Sequence, residues 1–108
     1  MNKFEAVLLI SPEISQKVLL KEIEDFKKQI DSNKGKVVNS EDWGLRDLSY
    51  NIASFKKAFY KFFQIEISGG IIPLIKNNLS NNENILRHLF IRVEKHQELP
   101  TKLYYEKK

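Results

Sequence analysis

Residues 41–52 of the chain read EDWGLRDLSYNI, and their apolar side chains alternate as in a β-strand until the alternation breaks once. Trp43 and Leu45 stand two residues apart before the break, and Leu48 and Tyr50 stand two apart after it on the opposite parity. Successive side chains of a strand point to opposite faces of a sheet. Since one extra residue, a β-bulge, switches the face, the segment predicts a long strand that bulges between Leu45 and Leu48.

The rest of the chain places five further elements around this strand. Apolar, β-branched runs predict strands, and apolar residues at helical spacing predict two helices. The predicted elements are a strand at 3–10, a helix from about 12 to 33, the strand at 36–52, a strand at 58–67, a short helix within 71–79 and, after an Asn-rich loop at 77–84, a strand at 85–93. The order is therefore β-α-β-β-α-β.

The ends of the first predicted helix carry recognisable signals. Ser11 before Pro12 and Ser15 before Gln16 are both suitable N-caps, and the sequence leaves the choice between them open. Gly35 follows the helix and is a favourable C-terminal stop.

This order of elements is typical of the α+β ferredoxin-like fold, a sandwich of one four-stranded antiparallel sheet in the order 4-1-3-2 with two helices on one face. A chain of 108 residues is long enough for one core, so we expect a single domain over residues 1–96. After residue 93 the periodicity is lost and Pro100 interrupts the chain. Residues 97–108 are therefore predicted to be a flexible tail or a partner-docking arm.

Strand parity predicts which side chains lie on the face away from the helices. In the first and third strands the more apolar parity should face the helices, which leaves outward Glu5, Val7, Leu9, Tyr60, Phe62, Gln64 and Glu66. In the last strand the same reasoning turns Leu89, Ile91 and Val93 toward the helices and leaves outward His88, Phe90 and Arg92. So much apolar area is unusual on a bare surface, and we expect a partner to cover part of it.

Composition excludes several classes of protein. No apolar run approaches the roughly 18 residues of a membrane span, and the N-terminal MNKFE does not resemble a secretory signal. The absence of cysteine excludes disulfides and thiolate chemistry and agrees with a cytoplasmic location. The two histidines, His88 and His96, have no ligand cluster around them, so neither a metal nor another cofactor is expected. A net charge of +4 permits nucleic-acid binding without requiring it.

Residues 44–53, GLRDLSYNIA, resemble the signature segment of the bacterial ribosomal protein S6 family, which shows Gly, a basic residue and then Leu-Ala/Ser-Tyr-x-Ile at this distance from the N-terminus. The likeness covers residues 1 to about 95. It includes the early Phe4-Glu5 pair, Gly35 after the first helix, the aromatic strand AFYKFF and the final strand ILRHLFIR.

The resemblance implies a non-catalytic, cytoplasmic constituent of the small ribosomal subunit that has no small-molecule substrate. Such a protein binds the central domain of 16S ribosomal RNA, on the platform, together with ribosomal protein S18. The basic residues predicted to contact RNA are Arg46, Lys56, Lys57, Arg87, Arg92 and Lys3. The residues predicted to contact the partner protein are Tyr60, Phe62, Phe90, Trp43 and Tyr50.

Each of these residues also has a structural interpretation. Arg46 could pair with Asp47 or Glu41, the adjacent lysines 56 and 57 could be a solvated turn, and Trp43 and Tyr50 could be packing residues. The aromatic triple of Tyr60, Phe62 and Phe90 invites comparison with the base-stacking sheet of RNA-recognition motifs. The glycine-flanked aromatic signature of that motif is absent, which favours a protein partner on this face.

Two other functions compete with the ribosomal one. A ferredoxin-like protein-interaction module, monomeric or dimeric and without RNA binding, fits the same pattern of elements. An acylphosphatase-like hydrolase would need a phosphate-cradling loop with an arginine after the first strand. Residues 11–15, SPEIS, contain neither Gly nor Arg and carry an acid, so we do not expect an enzyme.

Overall fold

The computed structural model describes residues 2–52 and 54–96, so the predicted tail at 97–108 lies outside the described residues. Six elements follow one another: β1 (Asn2–Ile10), α1 (Gln16–Ser32), β2 (Lys36–Ile52), β3 (Phe55–Ile67), α2 (Ile72–Ser80) and β4 (Ile85–Val93). The predicted order β-α-β-β-α-β is confirmed. The loop predicted at 77–84 is confined to residues 81–84, because burial of Leu79 beside Ile72 and Ile75, as predicted for the helix, extends α2 to Ser80.

The four strands form one antiparallel sheet in the order β2-β3-β1-β4, which confirms the predicted arrangement. β2 and β4 are therefore the edges, and β1 pairs with two neighbours. Both helices contribute buried residues to the same apolar cluster as one face of this sheet. The molecule thus has a helix side and an open face, which we define as the sheet face away from α1 and α2.

Alternation along β1 builds the core on the helix side. Ala6, Leu8 and Ile10 are fully buried, and the aromatic ring of Phe26 on α1 lies 4.7 Å from that of Phe63 on β3. A buried aromatic ring of this size contributes several kcal/mol, since replacing one by alanine typically costs about 3–5 kcal/mol. The predicted inward parity of β1 and of the second half of β3 is confirmed.

The ends of α1 resolve the choice that the sequence left open. Ser15 is the N-cap, and its hydroxyl accepts a hydrogen bond from the Val18 N–H at 3.2 Å. At the other end the Lys34 N–H donates to Asp31 and the Gly35 N–H donates to Ile30, the two bonds of a Schellman motif. Lys34, with φ of 65°, takes the left-handed position rather than Gly35.

Neither helix within the described ranges is long and apolar enough to span a bilayer.

The predicted parity of β4 is wrong. β4 pairs with β1 so that His88 lies opposite Leu8 and Phe90 lies opposite Ala6, and directly opposite residues share a face of the sheet. Phe90 therefore packs on the helix side, 6.2 Å from the ring of Phe26, instead of on the open face. The parity of Leu89, Ile91 and Val93 is the more apolar one, so apolar content alone selects the wrong face of this strand.

His88 and Arg92 share the helix side with Phe90. Burial lowers the pKa of the His88 imidazole below 6.5, and the Lys76 ammonium lowers it further. The His88 Nε2 atom lies 3.2 Å from the Ser80 hydroxyl of α2. Arg92 donates to the Asn2 side chain at 3.1 Å, at the far end of the same edge.

Gly35 is required by close packing, which generates a prediction for stability. A Cβ at this position would lie 2.8 Å from both the Glu66 carbonyl oxygen and the Ile67 Cβ of β3. Gly35→Ala should therefore lower the free energy of unfolding by about 2 kcal/mol through overpacking, measured by urea denaturation. Gly70→Ala is the control, because its Cβ would meet only the Ser68 hydroxyl, at 3.9 Å. Equal effects of the two substitutions would contradict this explanation.

Candidate nucleic-acid and protein interface

The open face consists of four cross-strand rows. Each row takes one residue from β2, β3, β1 and β4 in that order. The rows are Gly44–Tyr60–Leu9–Arg87, Glu41–Phe62–Val7–Leu89, Asn39–Gln64–Glu5–Ile91 and Lys36–Glu66–Lys3–Val93. The first row lies beside the β2–β3 hairpin, and the fourth lies at the opposite end of the sheet. The predicted outward parity of β1 and β3 is therefore confirmed.

Trp43 covers the aromatic part of this face. Its ring stacks on Phe62, with centroids 5.3 Å apart and planes 9° apart, and lies 6.4 Å from the ring of Tyr60. The indole N–H donates to a Glu41 carboxylate oxygen at 3.0 Å. Trp43 is 5% exposed and Phe62 is 3% exposed. Because Phe62 is covered and Phe90 lies on the other side of the sheet, the aromatic triple does not form a base-stacking platform.

A β-bulge brings Trp43 onto this face. Asp42 pairs with Lys61 and Gly44 pairs with Tyr60, so Trp43 is the extra residue. β2 has two further irregularities, between Val37 and Asn39 and between Asp47 and Ile52. The predicted break between Leu45 and Leu48 meets the last of these, where pairing with β3 is lost after Asp47, whereas the bulge at Trp43 was not predicted. Gly44 has a φ of +74°, a left-handed conformation that glycine adopts at little cost.

The Asp42 carboxylate stabilises the bulge. It accepts the Gly44 N–H at 2.8 Å and lies 2.6 Å from the ammonium of Lys61, whose side chain is largely buried on the helix side. Burial by itself raises the pKa of Asp42, but the hydrogen bonds from Lys61 and Gly44 and the charge of Lys61 outweigh burial. The pKa of Asp42 therefore lies below its ordinary value of 3.8.

Arg46 lies next to the bulge and contributes to its geometry. Its Nε donates to the Trp43 carbonyl oxygen at 2.9 Å, and the residue pairs with Ala58 on the open-face side. Arg46, Lys57 and Tyr60 line a hollow of about 280 Å³. Lys57 lies 3.7 Å from Asp47, an exposed ion pair that contributes little to stability. The guanidinium is thus held by the fold at the rim of a polar hollow.

The tip of the hairpin bends over the open face. Residues 48–51 are not paired with β3, and the Tyr50 hydroxyl accepts a hydrogen bond from Arg87 on β4, at the opposite edge of the sheet. The Arg87 guanidinium also lies 5.5 Å from the centre of the Tyr50 ring. This bridge walls a second, apolar hollow of about 370 Å³, lined by Val7, Leu9, Trp43, Tyr60 and Leu89 among others.

The structure brings together four of the six basic residues that were predicted to contact RNA. Arg46, Lys56, Lys57 and Arg87 all lie at the hairpin end of the molecule. Lys3 belongs to the fourth row, about 20 Å along β1 from Leu9 in the first row. Arg92 lies on the helix side of β4. A single nucleic-acid contact of modest size would therefore use the first four.

Sequence reasoning missed two apolar residues at the edge of the open face. Leu89 is 53% exposed and Ile91 is 51% exposed, although both were expected to face the helices. Their side chains continue the apolar area of Val7 and Leu9 toward the β4 edge. Apolar content could not have found them, because the parity that contains them is the more apolar one of this strand.

A polar group interrupts the apolar area in the third row. Glu5 is 9% exposed and Gln64 is 2% exposed, and the Gln64 amide donates to the Glu5 carboxylate at 3.2 Å. The Nδ1 atom of His96, the last described residue, lies 3.6 Å from the same carboxylate oxygen. Residues 94–96 thus turn back from the end of β4 over the open face. Within residues 2–52 and 54–96, no group of three or more potential metal ligands is present.

Comparison with known proteins places this arrangement in one family. The family model described as ribosomal protein S6 matches residues 3–92. The small ribosomal subunit protein bS6 of Rickettsia felis is 34% identical over 103 residues, which cover 95% of this chain and 85% of that protein. The bS6 protein of Brucella anthropi is 37% identical over 98 residues, and the chain spans 65% of its length.

The fold also matches a solved structure. The crystal structure of 30S ribosomal protein S6 from Thermotoga maritima superposes with a TM-score of 0.81 at 24% sequence identity. The match covers 85% of this chain and 87% of that chain. At this identity the likeness supports the fold, and the order of strands and helices agrees with the ferredoxin-like arrangement described above.

The Asp42 contacts predict a pH-dependent stability of the bulge. Because the folded state lowers the pKa of Asp42, its contribution is fully present above pH 3.8 and is lost as the pH falls through the lower folded value. Asp42→Asn should reduce the free energy of unfolding by about 1 kcal/mol at pH 7, discounted for the exposure of the carboxylate. The deficit should shrink below pH 3.8 in urea titrations, and a deficit that is independent of pH would contradict this mechanism. Asp47→Asn, which alters an exposed pair, is the control.

Proposed function

We propose a function from one established premise: this chain belongs to the ribosomal protein S6 family. We infer that it is a structural component of the small ribosomal subunit, bound to the ribosome in the cytoplasm and without catalysis. The family match over residues 3–92 and the bacterial relatives named for the small subunit support this role. The open face and the basic hairpin end supply the surfaces that such a component needs.

The finer proposal is that the protein binds 16S ribosomal RNA in the central domain of the subunit together with ribosomal protein S18. One observation carries it: a partly exposed apolar face is bordered at one end by four basic residues. An apolar face suits a protein partner, and a basic rim suits phosphates. Two adjacent surfaces of different chemistry suit a complex of three components.

The basic hairpin end would supply affinity for the RNA backbone. Arginine and lysine neutralise phosphates and release counterions, so their contribution is sensitive to salt and largely independent of sequence. Arg46 is held by its bond to the Trp43 carbonyl, which presents a partly fixed guanidinium. With a net charge of only +4, the isolated protein should bind RNA weakly.

The open face would supply the contact with S18. Leu89 and Ile91, about half exposed, are the apolar residues most available to a partner, and Val7 and Leu9 lie beside them. Trp43 and Phe62 are already packed against each other, so they would form the floor of this contact rather than its anchors. Phe90, on the helix side, has no part in it.

A dimeric interaction module remains the second candidate because Leu89 and Ile91 lie on an edge strand, where a second copy could bind. Sedimentation separates the two functions. A ribosomal component co-sediments with small subunits after a high-salt wash. A dimer without RNA binding sediments alone, and its mass doubles with rising protein concentration.

The proposed RNA contact predicts a specific salt dependence of binding. Replacing both Lys56 and Lys57 by Gln should weaken the complex with RNA and S18 and lower the slope of log K against log salt by about 2, one for each phosphate contact. The measurement is a filter-binding titration at several salt concentrations. The control replaces Lys21 and Lys28, both exposed on α1, by Gln, since this change removes the same charge. Equal loss in the two variants would reject the hairpin end as the RNA contact.

The proposed contact with S18 predicts which substitutions weaken the protein pair. Replacing Leu89 and Ile91 by Ser should weaken binding of S18 in the absence of RNA by about 1–3 kcal/mol, roughly 5- to 150-fold, measured by calorimetry. Leu20→Ser on α1 is the matched control, because Leu20 is 55% exposed and lies away from the open face. Unchanged affinity for S18 in the β4 variant would refute this interface while leaving the RNA contact untouched.

A further inference from the structure

Basic side chains line the helix side of the β4 edge. His88, Phe90 and Arg92 lie on this side at every second position of β4, so His88 and Arg92 are about 13 Å apart along the strand. The Lys76 ammonium on α2 lies 6.0 Å from the centre of the Phe90 ring, over the middle of this stretch. We define the side chains of His88, Lys76 and Arg92 as the basic edge.

The sequence supplies little negative charge to this part of the fold. Glu83 is the one acidic residue between positions 72 and 93, the range that contains α2 and β4, and it lies exposed in the loop that joins them. Lys76 and Arg92 are both exposed. Arg92 donates to the neutral Asn2 side chain at 3.1 Å and Lys76 lies over an aromatic ring, so neither contact neutralises a cation. Both charges therefore remain available to an anion.

The environment of His88 shows the same excess of positive charge. The imidazole lies on the helix side opposite Leu8, with Lys76 and Ser80 of α2 beside it. Its Nε2 atom is 3.2 Å from the Ser80 hydroxyl, whereas its buried Nδ1 atom makes no hydrogen bond within the described residues. Burial lowers the pKa of His88, and the Lys76 ammonium lowers it further. A nearby phosphate would act in the opposite direction, because a negative charge favours the imidazolium.

The basic edge is continuous with the basic hairpin end. Arg87 lies in the first row of the open face, and His88 follows it on the helix side of the same strand. The two basic surfaces therefore meet at residues 87 and 88. β4 is an edge strand of the described sheet, so a nucleic-acid strand that contacts Arg87 can pass over this edge to His88 without crossing another strand.

We propose that the basic edge binds the sugar–phosphate backbone of the same RNA that the hairpin end contacts, along a path from His88 past Lys76 to Arg92. The proposal rests on the proposed function, since that RNA is its ligand. Phosphates of one strand follow each other about every 3.4 Å along a duplex axis, so the path of about 13 Å faces more than one phosphate. The open face is left to S18, and the two partners do not compete.

A nucleic-acid backbone fits this surface better than an acidic protein segment does. Lysine, arginine and hydroxyl donors in a line are the groups that contact phosphate and sugar oxygens, and Lys76, Arg92 and Ser80 provide them. The same strand also carries Arg87 of the hairpin end, so one ligand can bind both surfaces. This path gives Arg92, which lies outside the hairpin cluster, a place in the RNA contact.

Replacing Lys76 and Arg92 together by Gln tests the basic edge. For a 16S central-domain fragment bound in the presence of S18, the slope of log K against log salt should fall by about 2. The affinity should fall by at least about tenfold at about 0.1 M salt, because two counterion-releasing contacts are lost. The control replaces Lys21 and Lys28 by Gln, which removes the same charge from the exposed face of α1. A slope equal to that of the control would overturn the proposal.

Binding of S18 without RNA identifies the class of ligand. It should change by less than about twofold in the Lys76 and Arg92 variant, because both substituted residues lie off the open face. A loss of S18 affinity as large as the loss of RNA affinity would assign the basic edge to a protein contact and overturn the proposal.

His88 provides a second measurement on the unsubstituted chain. In an NMR titration the pKa of its imidazole should rise when RNA and S18 bind, because phosphate favours the imidazolium. RNA affinity should then increase as the pH falls through the bound-state pKa and level off below the free-state pKa. A pKa of His88 that is unchanged or lower in the complex would contradict a phosphate at this position.

The experiments separate this proposal from the proposed function. If the Lys56 and Lys57 variant lowers the salt slope and the Lys76 and Arg92 variant does not, RNA binding stands and the basic edge has no part in it. If the unsubstituted chain binds no RNA in the presence of S18, the proposed RNA contact is refuted and the basic edge is refuted with it.

Discussion

The backbone pairing of β1 with both β3 and β4 determines which side of each strand faces the helices. Once Leu8 is buried beneath α1, its neighbours Lys61 and His88 must lie on the same side, and Val7 must lie with Phe62 and Leu89 on the other. A slip of one residue would expose the core set of β1 and bury Glu5 among the helices. The chemistry of the open face is therefore a consequence of the same pairing that builds the core.

The bulge at Trp43 adds an aromatic ring to the open face that regular pairing of β2 would not place there. An unbulged β2 would give every second residue to this face, without the extra ring that lies over Phe62. The ring is fixed by a local set of bonds, in which Asp42 accepts from Gly44 and Arg46 donates to the Trp43 carbonyl. Arg46 is therefore both part of the structure of the bulge and part of the basic rim.

Much of this architecture was predictable, and the failures have specific causes. Alternation in β1 and in the second half of β3 identifies the faces because the polar residues Lys3, Glu5, Gln64 and Glu66 all fall on the outward parity. In β4 the more apolar parity, that of Leu89, Ile91 and Val93, lies outward because Phe90 packs against Phe26 on the helix side. The bulge at Trp43 was not predicted because a left-handed Gly44 leaves no trace in hydrophobic alternation. The same limits apply to the candidate site: four of the predicted basic residues lie together at the hairpin end, whereas the outward position of Leu89 and Ile91 was missed.

The basic hairpin end and the apolar open face differ in the kind of binding that they can support. Four cations at the hairpin end can hold a phosphate backbone but carry little information about sequence. The open face, by contrast, has a fixed shape, with a floor of stacked rings, two exposed aliphatic residues at one edge and a buried carboxylate in the third row. A partner whose surface is complementary to this face can be selected by its shape and by pairing with Glu5. Charge attraction alone does not provide such selection. Under the proposed function, specificity would therefore reside in the apolar face, and the basic rim would add affinity for RNA.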